Sequence, residues 1–504
     1  MDSLLLASAQ QLARQIRQRE VTSEQVVGAH IAHLRRVNPR INAVVHDRYE
    51  AALSEARLAD ERVASGDPLP PLHGVPCTIK ECFSFAGMPN SAGLVARRHI
   101  VGDVDAPAVA RLRAAGAIPL GVTNLSELCM WMESNNRVYG RCSNPYDPTR
   151  TAGGSSGGEG AAIGAGGSPF GLGSDVGGSI RMPAFFNGVF GHKPSPGLVP
   201  STGQHPAPYG RIWRYAVAGP ICRRAEDIYP LLGVLTGAVD EDPSFSKPAT
   251  LRDPATVDLR ELRVLDVAPL RFPGVDRRLL EAQSRAADAL GRAGARVQKA
   301  QFPELDEAVE IWSAMMAIEA GPPFVEQLGE GRAVALLPEF GRLLVGRSDH
   351  TLPALGLGVL ERLVKSSPAR MRQAADAGER LRVKLDALLA DGGVMLFPSF
   401  TQPAPRHGRA LVLPIQWIYT GILNMLEFAA TQVPLGLDER GLPLGVQVAS
   451  SWGNDHLTIA AALELERAFG GWVPPPVVPA EPPSSDRPAR AGRREASAPG
   501  SPRI

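Results

Sequence analysis

Two serines set among glycines are the residues of this sequence best suited to chemistry. Ser155 lies in Gly153-Gly154-Ser155-Ser156-Gly157-Gly158-Glu159-Gly160, and Ser179 in Gly173-Ser174-Asp175-Val176-Gly177-Gly178-Ser179-Ile180-Arg181. Glycine lets backbone N–H groups approach a ligand where a Cβ would clash. A serine beside converging N–H donors suits acyl transfer, because the donors hold the oxyanion while the hydroxyl attacks. The lysines are Lys80, Lys193, Lys247, Lys299, Lys365 and Lys384, and arginine carries every other basic charge. Arginine keeps its proton in a protein, whereas a desolvated lysine can give its proton up. Lys80 ends the apolar run Gly74–Ile79, where burial favours the neutral amine and fits it to relay a proton through one serine to another. The residues alone leave a second reading open, in which Lys80 pairs with Glu81 or another surface acid.

Gly74-Val75-Pro76-Cys77-Thr78-Ile79-Lys80-Glu81, the Gly153–Gly160 run and Gly173–Arg181 stand in this order along the chain. Together they resemble the amidase signature family, strongly over residues 20–220 and more loosely over 255–472. The resemblance implies a Ser-Ser-Lys triad: Ser179 as the nucleophile, Ser155 on a cis peptide as the bridge, and Lys80 as the group that takes and returns the proton. It implies an oxyanion hole from the N–H groups of Val176, Gly177, Gly178 and Ser179. Asp175, Arg181 and Ser156 would support that geometry. Cys129 and Met130 fall in the stretch that borders substrate in relatives, although core packing suits both equally. No cofactor and no metal are implied. Lys80-Glu81-Cys82-Phe83, Glu159 and Asn424-Met425-Leu426-Glu427-Phe428 look like the fatty-acid-amide-hydrolase-like branch.

Gly153–Gly157 also satisfies G-x-S-x-G, but that elbow needs a downstream acid and histidine, and nothing local singles out His192, His205, His350, His407 or His456. No Gly-Lys-Ser/Thr follows the glycines, so they are not a phosphate loop. The enzymatic alternative is the glutaminase subunit of a tRNA-dependent amidotransferase. It would need charged groups to hold a free amino acid, and Pro414–Asn424 contains none. A catalytically dead scaffold would have no use for Lys80, Ser155 and Ser179 together.

Elements must hold these residues in place. Residues 3–65 read as helical, with Thr22 or Ser23 capping a helix that carries Val26, Val27, Ile31 and Leu34. Ala51–Ala64 is a second helix. Gly74–Lys80, Ile118–Val122, Leu262–Val267, Val394–Pro398 and Gly441–Val448 read as strands, and Ala106–Ala115, Arg277–Ala293 and His456–Phe469 as helices. That alternation predicts an α/β fold. The family resemblance sharpens it to one large domain, a central mixed twisted sheet with helices on both faces. Residues 1–70 would form a helical segment packed on a catalytic domain at 71–473. The Pro-, Ser- and Arg-rich stretch 474–504 reads as a disordered tail. Leu411–Leu435 is either buried core or the lining of an acyl pocket, with Trp417, Tyr419 and Phe428 as its walls.

The composition, 44% hydrophobic and 21% charged, describes a globular protein, and the net charge of +1 gives no reason to expect nucleic acid. The opening residues do not read as an export signal, and no uninterrupted apolar run of about 18 residues predicts a membrane span. Five cysteines, an odd number, fit free thiols in a reducing cytoplasm. The expected partner is a small-molecule amide, with a homodimer by analogy to relatives.

Overall fold

The computed structural model describes residues 2–240, 242–318 and 321–476. Eleven strands form one sheet. In chain order they are β1 (Val44–Asp47), β2 (Pro76–Lys80), β3 (Ile118–Thr123), β4 (Phe170–Asp175), β5 (Phe190–Lys193) and β6 (Val217–Cys222), then β7 (Arg263–Val267), β8 (Arg296–Ala300), β9 (Gly393–Phe397), β10 (Ala429–Leu437) and β11 (Pro443–Ser450). Across the sheet the order is β1-β3-β2-β4-β6-β5-β10-β11-β9-β7-β8. Pairing is mixed: β2 runs parallel to β3 and β4, whereas β4–β6, β6–β5, β5–β10, β10–β11 and β11–β9 are antiparallel. This is the α/β fold with a large mixed sheet that was expected.

Every residue of β2, β3, β4 and β11 is buried. Such strands read as continuous apolar runs because helices cover the sheet. That is why Gly74–Lys80 and Gly441–Val448 were legible. The helix Ser23–Ile41 starts as its sequence demands: the Thr22 side chain accepts from Gln25 N at 3.0 Å, and the Gln25 side chain accepts from Thr22 N at 3.0 Å. Residues 3–65 are not all helical. β1 interrupts them and pairs antiparallel with β3 at the edge of the sheet. The tail expected at 474–504 lies outside the described residues from 477 onward.

Between β8 and β9 the chain leaves the sheet as a helical excursion, with helices Ala308–Ala317, Phe324–Leu328, Leu336–Leu344, Leu352–Lys365 and Pro368–Leu389. The last of these packs on the first. The helix Ile418–Met425 is buried along its whole length and sits between this excursion and the sheet. Leu411–Leu435 is therefore largely core, as one of its two readings held.

Candidate active site

Lys80 is the last residue of β2, and β4 lies beside it in parallel, with Thr78 opposite Gly171 and Ile79 opposite Leu172. That register carries Lys80 to Ser174. Lys80 Nζ is fully buried, 2.6 Å from Ser155 Oγ and 2.9 Å from Ser174 Oγ. It makes no ion pair among the described residues. Glu81 points elsewhere: its carboxylate accepts from Ser91 N and Oγ, Ala92 N and the Tyr139 hydroxyl. The surface pair of Lys80 with Glu81 is thus absent, and burial pushes Glu81 up to about 7.

Ser155 follows a cis Gly154–Ser155 peptide. Its carbonyl accepts from Ser134 Oγ at 3.0 Å, and the same oxygen of Ser134 accepts from Gly157 N at 2.9 Å. Ser134 thereby clamps the turn into the buried helix Gly157–Gly164. Ser156 bridges to the second motif, since its N–H donates to Ser179 O at 3.2 Å and its hydroxyl to Ser174 O at 3.3 Å. Glu159, from the same helix, accepts from Thr78 Oγ1 at 2.6 Å and Thr123 Oγ1 at 2.7 Å. It therefore ties β2 to β3 directly beneath Lys80. A Cβ on Gly171 would fall 1.8 Å from Glu159 Oε2, so this carboxylate and that glycine require one another. Burial pushes Glu159 up to about 7.

The loop holding Ser179 is shaped by Asp175. Its carboxylate accepts from Gly178 N at 2.7 Å, Ile180 N at 3.1 Å, Arg181 Nε and Nη2 at 3.0 Å each, and Asn424 Nδ2 at 2.9 Å. Arg181 is fully buried and donates onward to Gln447 Oε1 and Asn424 Oδ1. Burial pushes the Asp175 carboxyl up, but Arg181 and the other donors outweigh it and hold it well below the usual range. Gly178 has φ +114°, and a Cβ there would lie 2.0 Å from Thr420 Oγ1, so only glycine fits.

Four N–H groups were expected to form the oxyanion hole. That of Gly178 is engaged by Asp175. The N–H groups of Val176, Gly177 and Ser179 carry no hydrogen bond among the described residues, which leaves these three for a ligand. The Ser179 hydroxyl, on a residue only 6% exposed, has no partner among the described residues either.

Two cavities meet at Ser179. One, of about 160 Å³, is lined by Ser155, Ser174, Ser179, Trp312, Phe324 and Leu357 among others. The other, of about 400 Å³, is lined by Gly177, Ser179, Met182, Trp312, Ile415 and Trp417 among others, and no charged residue faces it among the described residues. Cys129, Met130 and Val176 border both. Trp312 and Trp417 meet edge to face with ring centroids 4.4 Å apart, and Trp312 Nε1 donates to Val176 O at 3.3 Å.

None of the histidines weighed as bases bonds to either serine among the described residues. His192 pairs with Asp455, His350 with Glu127 and His407 with Glu133. His205 does reach the smaller cavity, but its ring faces Glu330 at 3.5 Å, and burial and Arg97 push it down to about 4. Ser134, Ser174, Gln447 and Trp312 had no role in the sequence reading. Only Ser174 carried a signal, its place inside the Gly173–Arg181 motif.

The Amidase family matches residues 25–459. The chain belongs to the amidase family. It is with that a serine amidohydrolase. Among its relatives, fatty-acid amide hydrolase 2-B of Danio rerio is 47% identical over 94% of this chain and 92% of its own. Fatty-acid amide hydrolase 2 of Homo sapiens is 43% identical over 94% and 91%. The native peptide amidase from Stenotrophomonas maltophilia superposes with a TM-score of 0.77 at 25% identity, over 93% of this chain and 98% of that one.

Proposed function

We propose that this amidase cleaves its substrate through a serine acyl-enzyme built by Ser179, Ser155 and Lys80, and that the substrate carries an apolar acyl or aryl group. The observation that carries the reading is the fully buried Lys80–Ser155 contact of 2.6 Å, with Lys80 in no ion pair among the described residues, opening on the cavity of Ser179. In the forward step Ser179 Oγ attacks the carbonyl carbon, its proton passes to Ser155, and the proton of Ser155 passes to the Lys80 amine. The N–H groups of Val176, Gly177 and Ser179 would receive the oxyanion. The proton then returns along the same path to the departing amine or ammonia, and water releases the carboxylate by the reverse sequence.

The apolar walls support the substrate class. Trp312, Trp417, Met182 and Ile415 offer dispersion contacts to a hydrocarbon or aromatic group and no hydrogen-bond partner for a charged one. The same walls disfavour a glutaminase subunit, because a free amino acid has two charges to place. Near the smaller cavity the acids are already taken: Asp175 by Arg181, and Glu361 by Lys365 and Phe324 N. Among the described residues no helix is long and apolar enough to cross a membrane. The names of the relatives favour fatty-acid amides within this class. A homodimer and a cytoplasmic location belong to the same proposal, and sedimentation and fractionation test them.

The deciding experiment is a hydrolysis panel on the purified chain, with glutamine, acetamide-sized, aryl and long-chain amides. Aryl or long-chain amides should turn over fastest. Ser179→Ala should abolish both turnover and labelling by a fluorophosphonate, and undiminished labelling would overturn the nucleophile assignment.

A further inference from the structure

Of the five cysteines, Cys77, Cys82, Cys142 and Cys222 are buried, and Cys129 alone is half-buried. It borders both cavities that meet at Ser179. The turn that carries it is held in an unusual form: Leu128 has φ +50° and Cys129 φ +60°. Non-glycine residues persist in this region only where their surroundings fix them. Here Leu128 N donates to Ala92 O and Cys129 N to Ser126 O, both at 2.9 Å. Just before them, the Glu127 carboxylate is pinned by His350 Nδ1 and Thr351 N, each at 2.8 Å. The thiol is therefore presented to the cavity by a rigid turn. The Ser179 hydroxyl, unpartnered and nine-tenths buried, opens on the same space.

Around the sulfur stand the Cys82 thiol and the Ser155 hydroxyl, which favour its anionic form, while its own S–H donates to His205 O at 4.0 Å. The neighbouring Cys82 thiol is the largest of these influences and lowers the Cys129 thiol despite burial, whereas burial and the same neighbour raise Cys82. The thiolate, not the thiol, is the nucleophile.

We propose that Cys129 is a second nucleophile of the substrate cavity, a covalent modification site for soft electrophiles built like the carboxamides that enter there, namely α-halo and α,β-unsaturated amides. With an α-halo amide the sulfur attacks the α-carbon, the S–C bond forms, and the halide leaves with the bonding pair. With an α,β-unsaturated amide the sulfur adds to the β-carbon, and the displaced π pair takes a proton at the α-carbon. Either thioether lies against the Lys80–Ser155 contact and blocks it. Cys82 acts here as a neighbouring thiol that favours the Cys129 anion. The choice of amide probes rests on the amidase reading of the cavity; the reactivity of the thiol does not.

The test uses iodoacetamide on the full chain and, in parallel, on Ser179→Ala, with peptide mass mapping of all five cysteines and the rate followed against pH. Cys129 should be labelled first in both proteins, on the order of 10-fold faster at pH 7 than an ordinary thiol with a pKa of ~8.5. A saturated long-chain amide should slow labelling in Ser179→Ala. Cys82→Ala should shift the pH–rate profile of Cys129 upward, and Cys82→Ser should restore part of the shift. First labelling at another cysteine, or a profile unmoved by Cys82→Ala, would overturn the proposal. Labelling in Ser179→Ala reads the thiol even if the chain fails to hydrolyse any amide of the panel, so the two readings fail separately.

Discussion

Asp175→Asn isolates what holds the Ser179 loop. The carboxylate accepts hydrogen bonds from Gly178 N, Ile180 N, Arg181 and Asn424. Asparagine has one acceptor oxygen where aspartate has two, and its NH2 group would face the donors of Arg181 or Gly178. Arg181 would keep its charge without a counter-ion, fully buried. Removing one partner of a buried pair costs about 3–5 kcal/mol. With a urea slope near 3 kcal/mol per M, the unfolding midpoint should fall by roughly 1 M or more. Because Gly178 and Ile180 lose their anchor on either side of Ser179, the oxyanion donors also lose their alignment. A single such donor is worth on the order of 10²–10³ in kcat, so kcat should fall at least 10²-fold while KM moves less. The pH dependence has a definite sign. A carboxyl held below its ordinary value contributes stability that is complete above about pH 4 and lost only as pH falls through the folded value. The gap between parent and variant should therefore stay flat from pH 5 to 8 and narrow in strong acid. Urea unfolding at pH 5, 6.5 and 8, with kcat on one good amide, is the assay. A midpoint within about 0.2 M of the parent and kcat within threefold would refute the reasoning, since both exceed the error of the linear extrapolation.

Lys80→Arg keeps the charge but cannot act as a base, and should lose about 10²–10⁴-fold in kcat; steady-state kinetics showing full activity would exclude proton transfer by Lys80. Glu159 is raised to about 7 by burial, so its contribution is complete below the ordinary carboxyl range and lost as pH rises through 7. Glu159→Gln should thus flatten the fall in stability between pH 5 and 8, measured by thermal unfolding. Burial lowers His350 but the Glu127 carboxylate raises it by more, for a net rise. This contact is fully present below pH 6.5 and lost as pH rises through the higher folded value. Glu127→Gln should speed hydrogen exchange in the helix Leu352–Lys365 at pH 6, with the difference shrinking by pH 9; equal exchange at pH 6 would remove this contact as the tether of that helix.

The strand that places Lys80 was legible because it is buried and reads as an apolar run, whereas β4, which carries Ser174, was not, since glycines break up its Phe170-Gly171-Leu172-Gly173 start. β1 was not, since four residues at the sheet edge, only one of them buried, leave no pattern inside an alanine- and arginine-rich helical stretch. Glycine-framed serines and a lysine at a strand end show in the sequence because their types are unusual there. Their supports do not. Asn424 and Gln447 reach Asp175 and Arg181 from the far half of the chain, and an asparagine on an apolar helix or a glutamine in a buried strand has no local signature. The cavity wall at Trp312, Phe324 and Leu357 comes from a helical excursion whose packing is wholly tertiary. Leu411–Leu435 left core and cavity lining both open: Ile415 and Trp417 line the cavity, whereas Tyr419 and Phe428 are core.

The order of the strands has a consequence for the life of the chain on the ribosome. Lys80, Ser155 and Ser179 all precede β6, while the cavity wall at Trp312, Phe324 and Leu357 follows much later and the sheet's two halves join only when β10 docks on β5. A nascent chain therefore carries every reactive side chain long before it has anywhere to hold a substrate. Synthesis must run past Leu437 before the joining strand is complete. Competence for hydrolysis arrives late and all at once, which spares the cell a half-made enzyme with an unguarded nucleophile.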